Sequence, residues 1–191
     1  MDADGLTFAV ATTAEERTAK RLGLRTVRVG VGVANGVPAG PVVSFGLAGA
    51  LADLRVGDVL DATRVVDESG ATLWEGPGLG VRGARAGVVL GSDALIHDAA
   101  ERRRLRESSG ADAVDMESGV LARAGRLAGV VRAVSDDAAS AIEGVDTTVH
   151  PDGRTNVAGL LRWVATRRGD AIRSMRDAVS ALRSLERTVA A

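Results

Sequence analysis

The fold of this chain is decided by VSFGLAGAL (residues 43–51) and by LRVGDV (residues 54–59), which follows it. Residues 42–45 are a short apolar run of the kind that forms a buried strand. Residues 46–52 predict a glycine-rich turn where backbone amides can approach a ligand, although a tight turn alone also needs glycines. Residues 59–66 then predict the next strand.

Strands and helices alternate on both sides of this stretch, which indicates an α/β sandwich. Thr12 and Thr13 are candidate N-caps for the first helix, because acidic residues follow them and basic residues come later, as the helix dipole favours. Residues 70–85 are rich in glycine and predict a loop or a hairpin. Further predicted strands cover residues 6–11, 25–33, 86–90, 113–116 and 130–134, and predicted helices cover 14–22, 94–107, 118–127 and the region from 170 onward.

The composition suits one globular domain over residues 1–191 and excludes several kinds of function. The chain has 191 residues, of which 46% are apolar, and a net charge of −1. It has no cysteine and only two histidines, His97 and His150, which excludes disulfides, thiolate chemistry and a histidine-cluster metal site. The balanced charge and the four Phe and Trp residues offer nucleic acid neither a general attraction nor a stacking surface.

Two further patterns bear on location and cofactor. The N-terminus lacks the basic and apolar regions of a signal peptide, and no run of about 18 apolar residues is present, so we expect a cytoplasmic protein. Residues 78–83 spell G-x-G-x-x-G, but they neither follow a predicted strand nor open a predicted helix. They therefore predict a loop rather than a dinucleotide site.

Carboxylates stand at the ends of three predicted strands. Glu15 comes just after the first strand, Glu117 follows the strand before the third helix, and Asp136 and Asp137 follow the last strand. Ligands of open α/β sheets bind at the carboxyl ends of the strands, although each acid alone is equally well explained as a helix-cap or first-turn residue. Because adjacent strand residues point to opposite sides, only one of the two aspartates should face a shared pocket.

Three motifs resemble the signatures of one enzyme family. The stretch quoted above resembles the G-x-A-G…L-x-V-G-D signature of the nucleoside phosphorylase/nucleosidase superfamily, AVDMES (residues 113–118) resembles its A-V-[DE]-M-E segment, and RAVSD (residues 132–136) resembles its R-x-[IV]-S-D segment. They stand in the family's order and cover the chain to about Ala139. The chain is similar to methylthioadenosine/S-adenosylhomocysteine nucleosidase, and more so to the hopanoid-associated phosphorylase subgroup, through residues 43–49, 91–94 and 151–154.

The resemblance implies a three-layer αβα sandwich with a central mixed β-sheet, and cleavage of a purine N-glycosidic bond. By resemblance, Asp136 is held near Ser135 and protonates N7 of the leaving base, and it needs a desolvated pocket to carry that proton near neutral pH. Glu117 hydrogen-bonds the ribose hydroxyls and favours the cationic transition state, with Met116 packing on the sugar. Glu15 stands at the position of the family's water-activating carboxylate, in parallel with glycoside hydrolysis.

The resemblance also implies substrate contacts. Leu95 and Ile96 match the positions that sandwich the base and offer it backbone hydrogen bonds, with Leu95 in place of the usual aromatic residue. Gly46, Leu47 and Ala48, in the predicted turn, complete the expected binding residues. Neither a metal nor a cofactor is implied.

Hydrolysis and phosphorolysis both occur in this family, and phosphate is a co-substrate only of phosphorolysis. Phosphorylases of this type carry an Arg and a Ser around the first glycine of the turn, where this chain has Ser44 and Leu47. Leu47 also replaces a serine that helps to hold water in the nucleosidases. A carboxylate on the nucleophile side would repel phosphate, so we expect hydrolysis. Arg25, Arg28 and Arg82 are the remaining candidates for a phosphate site.

The chain departs from the family in the connection between Val33 and Val42. The family inserts a helix of several turns there, whereas this chain has only ANGVPAGP. A crossover between parallel strands needs about a dozen residues or more, so we expect a hairpin-like join or a trimmed sheet edge.

The C-terminal region, residues 158–191, is rich in arginine and predicts an amphipathic helix that packs on the domain or on a second subunit. The alternative is a peripheral membrane contact. Family resemblance implies a homo-oligomer, at least a dimer. The apolar residues that recur near helical spacing are Ile172, Met175, Val179, Leu182 and Val189.

We therefore expect a purine nucleosidase that releases adenine from an adenosyl nucleoside, with an adenosylhopane-like compound of hopanoid biosynthesis as a candidate substrate. The alternatives are a purine nucleoside phosphorylase, a methylthioadenosine/S-adenosylhomocysteine nucleosidase and a non-catalytic nucleoside-binding paralogue. The presence of Glu15, Glu117 and Asp136 together argues against a binder, which needs no such set.

Overall fold

The computed structural model describes residues 5–96, 98–138, 150–154, 156 and 168–191. His97 and the first part of the predicted C-terminal region lie outside the described residues, and the single-domain organisation stays a prediction. The strands are β1 (Phe8–Val10), β2 (Thr26–Arg28), β3 (Val42–Ala50), β4 (Val59–Val66), β5 (Thr72–Glu75), β6 (Arg85–Gly91), β7 (Ala113–Asp115) and β8 (Leu127–Asp136), and the helices are α1 (Thr13–Arg21), α2 (Ala99–Ser109), α3 (Ser118–Arg123) and α4 (Arg168–Ala190).

Helices cover both faces of one mixed eight-stranded sheet, which confirms the predicted three-layer αβα sandwich. Helices α1 and α4 pack on one face, around a core that includes Phe8, Phe45 and Leu185. Helix α3 packs on the other face, around a core that includes Val65 and Leu121. The rings of Phe8 and Phe45 meet edge to face with their centroids 5.7 Å apart, and small aliphatic side chains fill most of the remaining core.

Five of the strands close into a ring. Strand β3 pairs with β7 and β8, β4 pairs with β6 and β8, and β6 pairs with β7. At Gly49 the ring brings two strand ends together, since this residue of β3 is in register with Val114 of β7 and with Asp136 of β8. The ring therefore places the residues that follow β7 next to the end of β8.

The prediction of a turn over residues 46–52 is wrong for residues 46–50, because β3 continues through Ala50. Gly46, Leu47 and Ala48 pair with β8 instead of reversing the chain. The glycine at position 46 is required by space, since a Cβ there would lie 2.1 Å from Oε1 of Glu15.

The connection from β2 to β3 is a crossover, so the predicted hairpin-like join is wrong. Both strands pair in parallel with β1, on its two sides. Strand β2 ends at Arg28, earlier than the apolar pattern suggested, which leaves residues 29–41 for the crossover. It contains one 3-10 turn, Val31–Val33, and no α-helix. Strand β2 is the edge strand of the sheet, and a trimmed edge stays a prediction.

Local signals explain most of the other boundaries. Thr12 caps α1 in a capping box with Glu15. Helix α2 begins five residues later than predicted, because the Asp98 side chain accepts hydrogen bonds from the next turn and caps the helix there. The glycine-rich region 70–85 contains a hairpin, in which β5 pairs antiparallel with β4.

Helix α4 packs on the sheet through small residues. Ala181 and Leu185 are fully buried, whereas Ile172, Met175 and Val179 are exposed. The predicted packing face is therefore wrong for these three residues, because alanine allows the helix to approach the sheet closely through a different face. Contact with a second subunit or a membrane through this helix stays a prediction. Among the described residues, no helix is long and apolar enough to cross a bilayer.

A contact between two glycine backbones fixes the start of α3. A Cβ on Gly91 of β6 would lie 2.3 Å from Cα of Gly119. This approach holds the beginning of α3, and Glu117 just before it, against the sheet.

We expect Gly91→Ala to lower the free energy of unfolding by about 1–3 kcal/mol or more, because neither backbone can yield to the added methyl group. Chemical denaturation measures this change. Gly40→Ala is the control, since Gly40 has open space around its Cβ position and no positive φ. Its effect should stay below about 0.5 kcal/mol. Equal losses in the two variants would contradict the assigned role of this contact.

Candidate active site

A cavity of about 190 Å³ lies at the carboxyl ends of β1, β7 and β8. Asp137 lies instead on a separate cavity, as the alternation of side chains along a strand predicts. Gly46 stands beside the site, against Glu15. The other sequence-predicted residues all line this cavity, namely Glu15, Leu47, Ala48, Leu95, Ile96, Met116, Glu117, Ser135 and Asp136.

Glu15 is fixed by hydrogen bonds to both of its carboxylate oxygens. Oε2 accepts from the N–H groups of Ala11 and Thr12, at 3.0 and 2.8 Å, and from the Thr12 hydroxyl at 3.0 Å. Oε1 accepts from the N–H of Leu47 at 2.8 Å. Glu15 is therefore a helix-capping residue that also lines the cavity. Since a carboxylate oxygen has two lone pairs, Oε1 can accept one further proton donor.

Arg132 of β8 is a buried guanidinium beneath the cavity. Its Nη2 lies 2.6 Å from Asp115 and 3.2 Å from Glu117, and it donates to the Ser44 hydroxyl at 2.6 Å. Its Nη1 donates to the carbonyl oxygen of Leu47 at 3.2 Å. The guanidinium compensates two buried carboxylates that would otherwise destabilise the fold. The sequence analysis gave Arg132 no role, although a charged residue inside an apolar strand is itself a signal of a paired buried group.

Glu117 is the carboxylate whose chemistry the fold changes most. Burial raises the pKa of Glu117 to about 7; Arg132 and the N–H of Gly32 oppose this rise, and the charges of Asp115 and Glu15 add to it. The Gly32 N–H donates to Oε1 at 3.0 Å. Although Glu117 precedes α3, its side chain makes no capping hydrogen bond, so a helix-cap role does not explain it.

Asp136 stands at the end of β8 with two different partners. Its Oδ1 accepts a hydrogen bond from the Ser135 hydroxyl at 2.7 Å. Its Oδ2 forms a close ion pair with Nη2 of Arg102, without the alignment of a hydrogen bond. The desolvated pocket expected around Asp136 thus contains a guanidinium in direct contact with the carboxylate. Sequence reasoning missed Arg102.

Leu95 and Ile96 form the wall near Asp136. Leu95 is 42% exposed and leaves an open apolar face, whereas Ile96 is buried. The carbonyl of Ile96 accepts two hydrogen bonds from Arg102, at 2.9 and 3.3 Å. The wall and the acid are therefore held by the same guanidinium.

A turn containing Pro151 and Gly153 supports the opposite wall. The carbonyl of Gly153 accepts from the N–H of Thr13 at 3.1 Å, and that of Pro151 accepts from the N–H of Val31 at 2.9 Å. A Cβ on Gly153 would lie 1.9 Å from the carbonyl oxygen of Ala11. The turn therefore ties the start of α1 to the Val31–Val33 turn, a structural role that the sequence motif did not reveal.

Of the two positions expected to bind phosphate, Ser44 does not face the cavity, and Leu47 lines it with an apolar side chain. Ser44 is fully buried, where its hydroxyl accepts from Arg132 and from Ser118 at 3.0 Å. Arg28 donates to the Thr13 hydroxyl at 2.9 Å instead. None of the three candidate arginines lines the cavity: Arg25, Arg28 and Arg82.

The charge of the cavity wall is predominantly negative. Among its lining residues, one guanidinium, that of Arg102, faces four carboxylates. Within the described part of the chain, no group of three or more His, Cys, Asp or Glu residues is arranged to hold a metal ion. The lining carboxylates are Glu15, Asp115, Glu117 and Asp136.

The chain resembles known proteins in part of its sequence and in nearly all of its fold. Residues 79–165 match the Phosphorylase superfamily. No curated protein matches the chain in sequence. The 5'-methylthioadenosine/S-adenosylhomocysteine nucleosidase of Helicobacter pylori superposes with a TM-score of 0.58 at 15% identity, over 96% of this chain and 97% of its own.

Two further solved structures have the same fold. The 5'-methylthioadenosine/S-adenosylhomocysteine nucleosidase from S. pneumoniae gives a TM-score of 0.59 at 13% identity, over 94% of this chain and 99% of its own. The futalosine hydrolase of Helicobacter pylori gives 0.55 at 15% identity, over 93% and 97%. Such identities establish the fold and leave the substrate open.

The sequence match covers less than half of the chain, so it shows a resemblance to the phosphorylase superfamily in that part of the sequence. The fold is that of the methylthioadenosine/S-adenosylhomocysteine nucleosidases and futalosine hydrolase. Both findings agree with the family predicted from the three motifs, and membership of that family stays a prediction. Membership of the hopanoid-associated subgroup stays a prediction.

The raised pKa of Glu117 predicts how stability depends on pH. Because the pKa rises on folding from 4.5 to about 7, the folded chain binds more protons than the unfolded chain in that window. The contribution of this group to stability is full below the lower value and is lost as the pH rises through the higher one. We therefore expect the melting temperature of Glu117→Gln, relative to the unmodified protein, to increase between about pH 5 and pH 8.

Glu107→Gln is the control for this experiment, since Glu107 lies exposed on α2. Its melting temperature should follow that of the unmodified protein across the same range. A difference between Glu117→Gln and the unmodified protein that stays constant with pH would contradict the raised pKa.

Proposed function

We propose that this protein is a purine nucleosidase that hydrolyses the N-glycosidic bond of a small adenosyl nucleoside. The observation that carries the proposal is one cavity in which three of the four lining carboxylates have three different sets of partners. Glu15 is held by backbone N–H groups, Glu117 by Arg132, and Asp136 by Ser135 and Arg102. Carboxylates in different surroundings can take separate acid and base roles in one site.

In the proposed reaction, Oε1 of Glu15 accepts a proton from a water molecule. The water oxygen bonds to C1' of the ribose while the C1'–N9 bond breaks, and the electron pair of that bond passes to the purine. Asp136 supplies a proton to N7, so the products are the free base and ribose carrying a new hydroxyl group. One carboxyl group thus activates water while another protonates the leaving group, as in glycoside hydrolysis.

The hydroxyl of Ser135 can serve Asp136 in both of its protonation states. It lies 2.7 Å from Oδ1 of Asp136 and 3.3 Å from the carbonyl oxygen of Ala48. When Asp136 is ionised, the hydroxyl donates to Oδ1; when Asp136 carries the proton, the hydroxyl can turn to Ala48. The Ser135 hydroxyl therefore keeps an acceptor before and after the proton is transferred.

In this proposal, Glu117 binds the ribose. In its ionised form it accepts hydrogen bonds from the ribose hydroxyls and stabilises positive charge that develops on the sugar. Met116, next to it in the cavity wall, offers an apolar surface for the sugar.

The electrostatics of the cavity support hydrolysis over phosphorolysis. Four lining carboxylates face one guanidinium, and that guanidinium is already paired with Asp136. A phosphate dianion brought into this wall meets net repulsion in surroundings where water screens charge poorly. Water carries no such penalty.

The size of the cavity supports a nucleoside with a small 5' substituent. Its volume of about 190 Å³ lies below the ~300–1,000 Å³ that is usual for sites of drug-sized ligands. An adenosylhopane-like substrate gains no support from this volume and stays a prediction. The cytoplasmic location, the absence of a cofactor and the homo-oligomer also stay predictions.

We expect the protein to release free base from adenosine or 5'-methylthioadenosine at equal rates with and without phosphate, measured by chromatography. Asp136→Asn should slow release by about 10²–10⁴-fold, because the leaving base loses its proton donor. Asp53→Asn, which changes an exposed carboxylate, is the control and should keep the full rate. An adenosyl lipid tested in parallel separates the hopanoid-type substrate from the small one.

Two outcomes contradict this proposal. Release that requires phosphate makes the protein a phosphorylase. No release from any of the three substrates makes it a nucleoside-binding paralogue.

We expect Glu15→Gln to reduce hydrolysis by about 10²-fold or more, because an amide cannot take the proton of the attacking water. Glu16→Gln, one residue along α1, is the matched control, since Glu16 pairs on the surface with Lys20 at 2.6 Å. Circular dichroism checks that Glu15→Gln folds, because an amide leaves one capping donor without an acceptor. Full turnover by folded Glu15→Gln would exclude Glu15 as the base.

A further inference from the structure

We infer that Arg102 is the positioning residue that holds the orientation of Asp136 and stabilises the carboxylate left when its proton is transferred. This inference rests on the proposed function, in which Asp136 is the acid that protonates the leaving base. Arg102 touches the acid and not the reacting atoms, so it acts through Asp136.

Arg102 joins three segments of the chain at the end of the cavity. It is 3% exposed, and it donates to the carbonyl oxygens of Ile96 at 2.9 and 3.3 Å, Asp137 at 3.0 Å and Ala50 at 3.4 Å. Its remaining contact is the ion pair with Asp136. One planar guanidinium thus donates to the carbonyl oxygens of the segment before α2, of the end of β3 and of the residue after β8. An ammonium group cannot bridge all three segments in this way.

The ion pair decides which oxygen of Asp136 carries the proton. Oδ2 is buried against Arg102 and faces Gly49, where a Cβ would lie 3.1 Å from it. Oδ1 is the oxygen that Ser135 reaches. Proton transfer to a base in the cavity therefore runs through Oδ1, and the contact with Arg102 keeps that oxygen turned to the cavity.

The ion pair also acts on the product of proton transfer. When the proton leaves, the carboxylate that remains is stabilised by the adjacent positive charge, which lowers the free energy of the transferred state.

Other charged groups near Asp136 act in the opposite direction. Asp137 follows it directly after β8, and Asp115, Glu117 and Glu15 lie in the same cavity wall. All four are carboxyl groups, so their charge opposes the effect of Arg102 on the Asp136 carboxylate. Arg102 is the one cation among the described residues that line the cavity, and it is in direct contact.

The position at which α2 starts determines which of its consecutive arginines is buried, and that residue is Arg102. The cap at Asp98 fixes the start of the helix, and this places Arg102 and Leu105 on its buried side. Arg103 and Arg104 on the same helix are exposed. Arg103 therefore provides a matched control.

The test compares Arg102→Gln, Arg102→Lys and Arg103→Gln in the pH dependence of base release. In Arg102→Gln the charge is lost, so Asp136 holds its proton to higher pH, and the alkaline limb of kcat/KM should move up by about one pH unit or more. Its kcat should fall by about 10-fold or more, because the acid is weaker and less well oriented. Arg103→Gln should match the unmodified protein in both.

Arg102→Lys distinguishes the effect of the positive charge from the effect of the bridging hydrogen bonds. It also replaces Arg102→Gln in the test if that variant does not fold. Its ammonium keeps the charge but cannot bridge the three segments. The alkaline limb should therefore stay within about half a pH unit of its original position while kcat falls. A shift as large as that of Arg102→Gln would overturn the assigned role of the charge, and an unmoved limb in Arg102→Gln would overturn it as well.

A second measurement keeps this test separate from that of the proposed function. Titration of the Asp136 carboxyl carbon by 13C NMR, with the signal identified by its loss in Asp136→Asn, needs no turnover. The signal should titrate at higher pH in Arg102→Gln than in the unmodified protein. Equal titration in Arg102→Gln and the unmodified protein would overturn the inference, even if the enzyme is active. A shift between the two, in a protein that shows no turnover, would support the inference and refute the proposed function.

Discussion

The ion pairs of Arg132 with Asp115 and Glu117 are the interaction on which the site depends. A carboxylate buried without a partner costs several kcal/mol, so two of them beside Glu15 require a buried cation. Arg132 supplies it from the middle of β8, within 3.2 Å of both groups. Its other hydrogen bonds reach Leu47, whose own N–H holds Glu15. Glu15 and Glu117, the carboxylates proposed to activate water and to bind the ribose, are thereby connected through one guanidinium.

The closed ring of strands makes this arrangement possible. Pairing of β3 with both β7 and β8 brings the ends of the latter two to one place, and the glycines of β3 leave room for the side chains above them. Gly46 makes space for Glu15 and Arg132, and Gly49 makes space for Asp136 and Arg102. Each glycine thus lies beneath one pair of opposite charges. These are the same residues that form the signature motif, so the motif reflects packing around charged groups and not a turn.

The cap of α1 at Thr12 and the carboxylates that follow β1, β7 and β8 could be predicted because they depend on neighbours in sequence. The crossover between β2 and β3 could not, since an apolar run does not show where pairing with β1 stops. Arg102 could not be distinguished from Arg103 and Arg104 before the start of α2 was known. Arg132 was predictable in principle, because a charged residue within an apolar strand must find a partner. On α4, helical periodicity alone did not show that alanines form the packed face.

The two arginines divide the site into a nucleophile end and a leaving-group end. Arg132 pairs with the carboxylate proposed to bind the ribose, and Arg102 pairs with the carboxylate proposed to protonate the leaving base. The central claim, that water is the nucleophile, is tested most directly by running the reaction in H₂¹⁸O with phosphate present and analysing the sugar by mass spectrometry. The account predicts free ribose with one ¹⁸O bonded to C1', read from the product before the label exchanges with solvent. Ribose 1-phosphate as the first product would contradict it.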